Sequence, residues 1–244
     1  MESTKKEWFA EWFDSMYYHV LYKKRDFKEA EYFIDNLISF LNPKPDAKML
    51  DLACGAGRHS LFLNKKGYEV TGVDLSENSI EEAKKHEVEG LSFAVHDMRE
   101  VYQQNAYDYV FNMFTSFGYF DNQRDNLKML HSVKKTLKKG GTFVLDFLNS
   151  DQVIHNLVAE EEKEVDGVNF HLKRKVEDGF IVKDICFKTD KEYRFQERVQ
   201  AITLDELKEL FSEADLTINH IFGSYSLEPY DKERSKRLIL IAQN

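Results

Sequence analysis

The feature that most constrains this chain is the run Leu50-Asp51-Leu52-Ala53-Cys54-Gly55-Ala56-Gly57. A short apolar segment enters a Gly-x-Gly turn, and helical spacing follows at Leu61, Phe62 and Leu63. Glycine accepts left-handed backbone and lets a chain approach a ligand closely, so strand, glycine turn and helix form one unit of a parallel sheet. The pattern then repeats. Gly67 reads as a helix C-cap, 68–73 as a strand ending at Asp74, and Ser76 as the cap of a helix through Ile80 and Ala83. Further strands are expected at 91–95, 107–112 and 142–148, with a helix over 126–137 stopped by Lys138-Lys139-Gly140-Gly141. Such alternation implies an α/β fold: a doubly wound, mostly parallel sheet with Rossmann-like topology.

The alternation breaks after the fifth strand. Between about 160 and 202 the apolar period is two, and Asp166-Gly167 and Asp178-Gly179 are hairpin dipeptides. The runs 168–175, 180–187 and 193–202 read as an inserted small antiparallel β-sheet. Thr203-Leu204-Asp205-Glu206 is a capping box, opening a helix to about Ala214. Strands at 216–222 and 237–242 complete a seven-stranded sheet. Upstream, residues 5–41 carry helical spacing. Trp8, Trp12, Phe13, Met16, Tyr17, Val20 and Leu21 form one stripe, a second helix covers 27–41, and Asn42-Pro43-Lys44-Pro45-Asp46 closes the region.

A Gly-x-Gly turn alone does not choose its ligand, because dinucleotide enzymes use the same device. Their fingerprint has a third glycine where this chain has Ser60. Asp51, inside the apolar strand, would repel a pyrophosphate yet suits a cationic ligand; the plainer reading is a solvated strand end. Asp74 is placed to accept from two ribose hydroxyls, which fits either adenosine cofactor, or simply to start the next helix. His96-Asp97-Met98-Arg99 follows the third strand. Asp97 there can accept from an exocyclic amine while the Met98 N–H donates to a ring nitrogen, and a loop aspartate is the alternative.

The order Asp-Leu-Ala-Cys-Gly-x-Gly, Val-Asp-Leu-Ser, Asp-Met-Arg resembles the class I S-adenosylmethionine-dependent methyltransferases over roughly residues 48–148. A narrower resemblance is to small-molecule types with helical N-termini and an antiparallel insertion after the fifth strand, glycine- and sugar-amine-type N-methyltransferases among them. The resemblance implies S-adenosylmethionine as cofactor and S-adenosylhomocysteine as product. It implies cofactor contacts from Tyr17, Asp51, Ala53, Gly55, Gly57, Asp74, Leu75, Asp97, Met98 and Phe114. Ser116 and Tyr119 face the substrate as catalytic candidates, and ordinary packing explains each of them as well. It divides the chain into an N-terminal helical lid (1–46), a cofactor-binding core (47–149), an inserted β subdomain (150–202) and a return of the core (203–244). Amino-directed DNA methyltransferases carry two prolines after an acidic or Asn residue at this point, whereas here the run is Asn112-Met113-Phe114-Thr115.

Composition narrows the partners. A net charge of −9 over 244 residues disfavours nucleic acid. No apolar run reaches the roughly 18 residues of a membrane helix, and the N-terminus lacks a secretory apolar segment, so a cytoplasmic protein is expected. Cys54 and Cys186 show no disulfide or zinc spacing, and no metal is expected. The acceptor is expected to be a small molecule with an N or O nucleophile, and the insertion can serve as a substrate wall or a homodimer interface. No base stands out: His59, His155, His171, Tyr225 and Tyr230 are comparable, and Arg174, Arg194 and Arg198 either line an anionic pocket or sit on solvated strand faces. The competing readings are a nicotinamide-dependent oxidoreductase and a non-catalytic S-adenosylmethionine-binding protein.

Overall fold

The structure, a computed structural model, describes residues 8–23 and 27–244. The expectation for 5–7 therefore lies outside the described residues. The chain opens with α1 (Trp8–Phe13), α2 (Met16–Leu21) and α3 (Phe27–Leu41). Then β1 (Lys48–Leu52), α4 (Arg58–Lys65), β2 (Glu69–Asp74), α5 (Glu77–Lys84), β3 (Leu91–Val95), β4 (Tyr107–Asn112), α6 (Gln123–Thr136) and β5 (Leu137–Leu148) alternate as the sequence implies. The insertion is α7 (Ser150–His155), β6 (Glu160–Val165), β7 (Val168–Glu177), β8 (Phe180–Lys188) and β9 (Glu192–Gln200). The chain ends with α8 (Leu204–Glu213), β10 (Thr217–Phe222) and β11 (Arg237–Gln243).

The main sheet has seven strands in the order β10-β11-β5-β4-β1-β2-β3. Pairings among β1 to β5 are parallel, and β11 runs antiparallel to both its neighbours. From β1 the chain winds outward through β2 and β3, then returns to β4 on the other side of β1. That reversal opens a crevice at the carboxyl ends of β1 and β4, where open α/β sheets bind ligands. Alternate side chains explain the two cores. Leu50 and Leu52 face Met129, Val133 and Phe211 of α6 and α8, while Met49 and Phe111 face Phe33, Ile34 and Leu37 of α3. The expected caps form: Ser76 accepts the Ser79 N–H at 3.0 Å, and Thr203 and Glu206 make the reciprocal capping box. Asp166, Gly167, Asp178 and Gly179 all have positive φ, as two-residue hairpin turns of this hand require.

Several expectations shift. The N-terminal stripe is not one helix. Ser15 caps α2 by accepting the Tyr17 N–H at 3.2 Å, and the preceding Asp14 leaves the helical path. Met16 of the stripe is 68% exposed. The helix expected at 126–137 begins at Gln123, because the Asn122 side chain accepts the Asp125 N–H at 2.9 Å. The fifth strand starts at Leu137 and takes in the two glycines expected to stop the helix before it. The inserted sheet has a fourth strand, β6, in the order β6-β7-β8-β9. Its Glu160, Glu161 and Glu162 carry no apolar alternation, and pairing along β7 recruits them. One face of this sheet packs Phe170, Leu172, Ile185 and Phe187 against Trp12 and Leu21 of α1 and α2. The other is charged, with Glu160 to Lys173 at 3.0 Å and Glu162 to His171 at 3.3 Å.

Candidate cofactor and acceptor site

A cavity of about 330 Å³ opens at the crevice and has three walls. The first is the cradle at the ends of β1, β2 and β3. Ala53, at φ +62°, and Gly55, at φ +55°, turn the backbone so that Cys54 N–H donates to Val73 O at 3.0 Å. A Cβ on Gly55 would meet nothing within 4 Å, so the turn leaves room against the cavity. Asp74 ends β2. Its Oδ2 accepts the Gly55 N–H at 2.8 Å and its Oδ1 the Ser76 N–H at 2.9 Å. Burial lifts its carboxyl above the usual range, against those backbone N–H groups and that of Leu75. Leu75, His96, Asp97 and Met98 continue this wall.

The second wall follows β4: Met113, Phe114, Ser116, Tyr119 and Phe120 line it. Ser116 Oγ donates to Met113 O at 3.0 Å. The Arg58 guanidinium, at the start of α4, stands 5.1 Å from the Phe114 ring centre and also lines the cavity. The third wall is the cover of Phe9, Phe13, Tyr18, His19, Tyr22 and Phe27 from the N-terminal helices. Asp14, between α1 and α2, holds this cover beside the cradle. Its carboxylate accepts from Ser76 Oγ at 2.9 Å and the Asn78 N–H at 3.1 Å, and Asn78 Nδ2 donates to Asp14 O at 3.0 Å. Burial lowers the pKa of His19, which lines the cavity, opposed by the charges of Glu82, Asp14 and Asp74.

A polar cluster joins the cover to the inserted sheet, beside the ion pair of Lys23 with Asp166 at 2.6 Å. Glu197 of β9 accepts from Trp12 Nε1 at 2.7 Å and from Tyr22 Oη at 2.6 and 2.8 Å. Lys183 of β8 pairs with it at 3.1 Å.

Of the residues expected at the cofactor, Ala53, Gly55, Asp74, Leu75, Asp97, Met98 and Phe114 line the cavity, and so do Ser116 and Tyr119. Tyr17, Asp51 and Gly57 do not. The break at Asp14 and Ser15 resets the helical phase, so Tyr18 and Tyr22 face inward. The Tyr17 ring packs at a tilt, 4.5 Å from Phe187 and 4.7 Å from Tyr193, with its hydroxyl 3.0 Å from Thr189 Oγ1. Asp51 lies beneath the glycine turn, 1% exposed, accepting from Ser60 Oγ at 2.6 Å. Burial raises its pKa to about 6, against the Ser60 hydrogen bond. Gly57 is a packing glycine, since a Cβ there would sit 2.6 Å from the Phe93 ring. Asp97 is engaged by Arg99, whose Nη2 stands 2.6 Å from Oδ2. Burial pushes that carboxyl up, and the Arg99 contacts outweigh it, leaving the pKa lowered.

None of the other named candidates lines the cavity except His59. His171 is exposed beside Glu162, Tyr230 donates to Asn149 Oδ1 at 3.1 Å, and Tyr225 donates to Asp146 Oδ2 at 3.1 Å. His155 closes the short helix α7. Arg174 pairs with Glu161 at 2.6 Å, Arg194 with Glu192 at 2.8 Å and Arg198 with Asp121 at 3.4 Å. Sequence reasoning missed Phe9, Tyr18, His19 and Tyr22 as cavity residues, and Arg58 as a cation beside Phe114. None of the first four belongs to the apolar stripe, and the inward phase of Tyr18, His19 and Tyr22 depends on the break.

Residues 43–215 match the family model described as a methyltransferase domain, and the chain belongs to that family. It is 35% identical over 109 residues to the putative methyltransferase YqeM of Bacillus subtilis, a match covering 43% of this chain and 44% of that protein. The chain thus spans less than half the length of the curated relative it matches there. An S-adenosylmethionine-dependent methyltransferase from Clostridium acetobutylicum shares the fold at 23% identity. That alignment covers 93% of this chain and 96% of that one, with a TM-score of 0.78. CalS10, an amino pentose methyltransferase from Micromonospora echinaspora solved with S-adenosylmethionine bound, shares it at 18% identity, covering 94% and 97%, with a TM-score of 0.69. Among the described residues no helix is long and apolar enough to cross a membrane, and no group of His, Cys, Asp and Glu has metal-binding geometry.

Proposed function

We propose that this protein is an S-adenosylmethionine-dependent methyltransferase acting on a small-molecule acceptor through an N or O nucleophile. The observation that carries the reading is that Gly55, Asp74 and Asp97, from the ends of three successive parallel strands, all open into one cavity. The residues present fit the cofactor. The open side of Gly55 admits a ligand against backbone, and a carboxylate offers about four acceptor sites, so Asp74 keeps capacity for ribose hydroxyl donation beside its backbone donors. S-adenosylmethionine, when bound, supplies a methyl group activated by its sulfonium. The protein's own part is to hold the acceptor in line and exclude water, which the aromatic cover suits. Ser116 and Tyr119 are the hydroxyls we assign to the acceptor end. The helices over the cavity favour a small acceptor over a polymer, and the shared fold with a protein solved as an amino pentose methyltransferase supports the same class. We assign α1 to α3 as a lid, the inserted sheet as its support, and the cytoplasm as the compartment, in keeping with two unpaired cysteines.

A nicotinamide cofactor is the weaker reading. Ser60 stands where its third glycine belongs, and that serine donates to the carboxylate of Asp51 beneath the turn. Calorimetry with S-adenosylmethionine, S-adenosylhomocysteine and NAD, with Asp74→Ala as control, tests the proposal. Binding of both adenosyl ligands, lost in the variant, is expected, and binding of NAD alone would overturn it. Methyl transfer to any member of a panel of small amines and hydroxyl acceptors separates an enzyme from a non-catalytic binder.

A further inference from the structure

The turn after β4 is held in a conformation that its own residues disfavour. Phe114 has φ +64° and Thr115 φ +60°, two consecutive non-glycine residues in the left-handed region. Such residues persist only when their surroundings over-determine them. Here one residue of β5 accepts from both. Asp146, fully buried, takes the Phe114 N–H on Oδ2 at 2.9 Å and the Thr115 N–H on its backbone carbonyl at 3.0 Å. Arg237 of β11 donates from Nε to Asp146 Oδ1 at 2.7 Å and from Nη2 to Thr115 Oγ1 at 2.9 Å. Tyr225, from the connection between β10 and β11, donates to Asp146 Oδ2 at 3.1 Å. Its ring stacks 4.3 Å from Phe33 of α3.

Neither Asp146, Arg237 nor Tyr225 lines the cavity, while Phe114 does. A buried ion pair adds little net stability compared with apolar residues of similar volume, so stability alone does not account for placing one here. Position accounts for it better. In the sheet order β4 lies across β1 from β2 and β3. The Phe114 turn therefore faces the end of the cavity away from Asp74 and Asp97. Two guanidinium groups also stand near the Phe114 ring, Arg58, which lines the cavity, at 5.1 Å and Arg237, which does not, at 5.9 Å.

We propose that Asp146 and Arg237, assisted by Tyr225, are positioning residues that fix the Phe114 turn, and through it Arg58, against the amino-acid half of the cofactor. This rests on the reading of the cavity given above. The test is calorimetric binding of S-adenosylhomocysteine and of adenosine, which is the nucleoside half alone. The double variant Asp146→Leu with Arg237→Met removes the pair at similar volume. It is expected to melt near the wild type and to bind adenosine within about twofold of it. Its affinity for S-adenosylhomocysteine is expected to fall on the order of tenfold or more. Equal losses for both ligands, or no loss for either, would overturn the proposal. If the double variant does not fold, Tyr225→Phe carries the test. It deletes one donor to Asp146 and nothing from the wall, and the same split is expected at about threefold to fivefold. No split there overturns the proposal too. Wild-type protein that binds neither ligand defeats the cofactor reading itself, and this proposal with it.

Discussion

The cradle and the cover of the cavity are built by different means. In the cradle, the contacts are short-range and made largely by backbone: Gly55 N–H and Ser76 N–H meet one carboxylate, and Ala53 and Gly55 supply the turn. Its position follows from parallel strands one register apart. The cover contributes large aromatic side chains, and its anchors come from far away in the chain. Trp12 finds its acceptor on Glu197, 185 residues on, and Asp14 caps α5 from 62 and 64 residues upstream. The lesson is a division of labour. A cradle made of backbone turns takes its shape from the strands that carry it, while a cover held by side-chain contacts takes its place from segments distant in the chain.

Asp74→Ala strikes the cradle hardest. Losing ribose hydrogen bonds to a charged group, about 1.5–3 kcal/mol each, should weaken S-adenosylhomocysteine binding by two orders of magnitude or more. A loss below tenfold would mean that the cover, not the cradle, holds the nucleoside. Glu197→Ala strikes the cover. It leaves Lys183 and the Trp12 and Tyr22 donors without their shared acceptor, a cost of about 3–5 kcal/mol. Hydrogen exchange should then show lost protection in α1, α2 and β7 to β9 with β1 to β5 unchanged. Uniform loss would show that the two regions unfold as one.

Asp51 gives the cradle a pH signature. Its carboxyl, raised from 3.8 to about 6 when folded, is protonated in both states below about pH 4. As pH rises from there the unfolded chain ionises first. Stability therefore falls by about 3 kcal/mol between pH 4 and 6 and is flat above. Asp51→Asn should remove that decline in denaturant titrations, and an unchanged profile would place its source elsewhere. The smallest effect is expected at the joint between the regions. Asp14→Ala deletes the contacts to Ser76 and Asn78, a cap worth about 1 kcal/mol. It should speed S-adenosylhomocysteine dissociation several-fold in stopped-flow while leaving the melting of the main sheet nearly unchanged.

The parts legible in the sequence were those whose signal is local. Alternating strands and helices, the Gly-x-Gly turn, the carboxylate at the end of β2, the two Asp-Gly hairpins and the Thr203 capping box each arise from a backbone requirement met within a few residues. Strand β6 escaped because its acidic residues carry no apolar alternation, and only pairing with β7 makes them a strand. Asp51 read as a residue facing a cation, yet in the fold its carboxylate meets Ser60 under the turn. Tyr17 read as the tyrosine of α2 that looks inward, and the break at Asp14 brings Tyr18 to the cavity instead.

What the sequence determined by itself was the alternation of β1 to β5 with their helices and the turns of the cradle, since the same short segments that form each turn also carry cavity-lining groups. What only the tertiary structure decided was the cover and the network of Asp146, Arg237 and Tyr225 behind Phe114. Those side chains take their roles from neighbours tens to nearly two hundred residues distant, and no local pattern encodes which buried charge meets which strained backbone N–H.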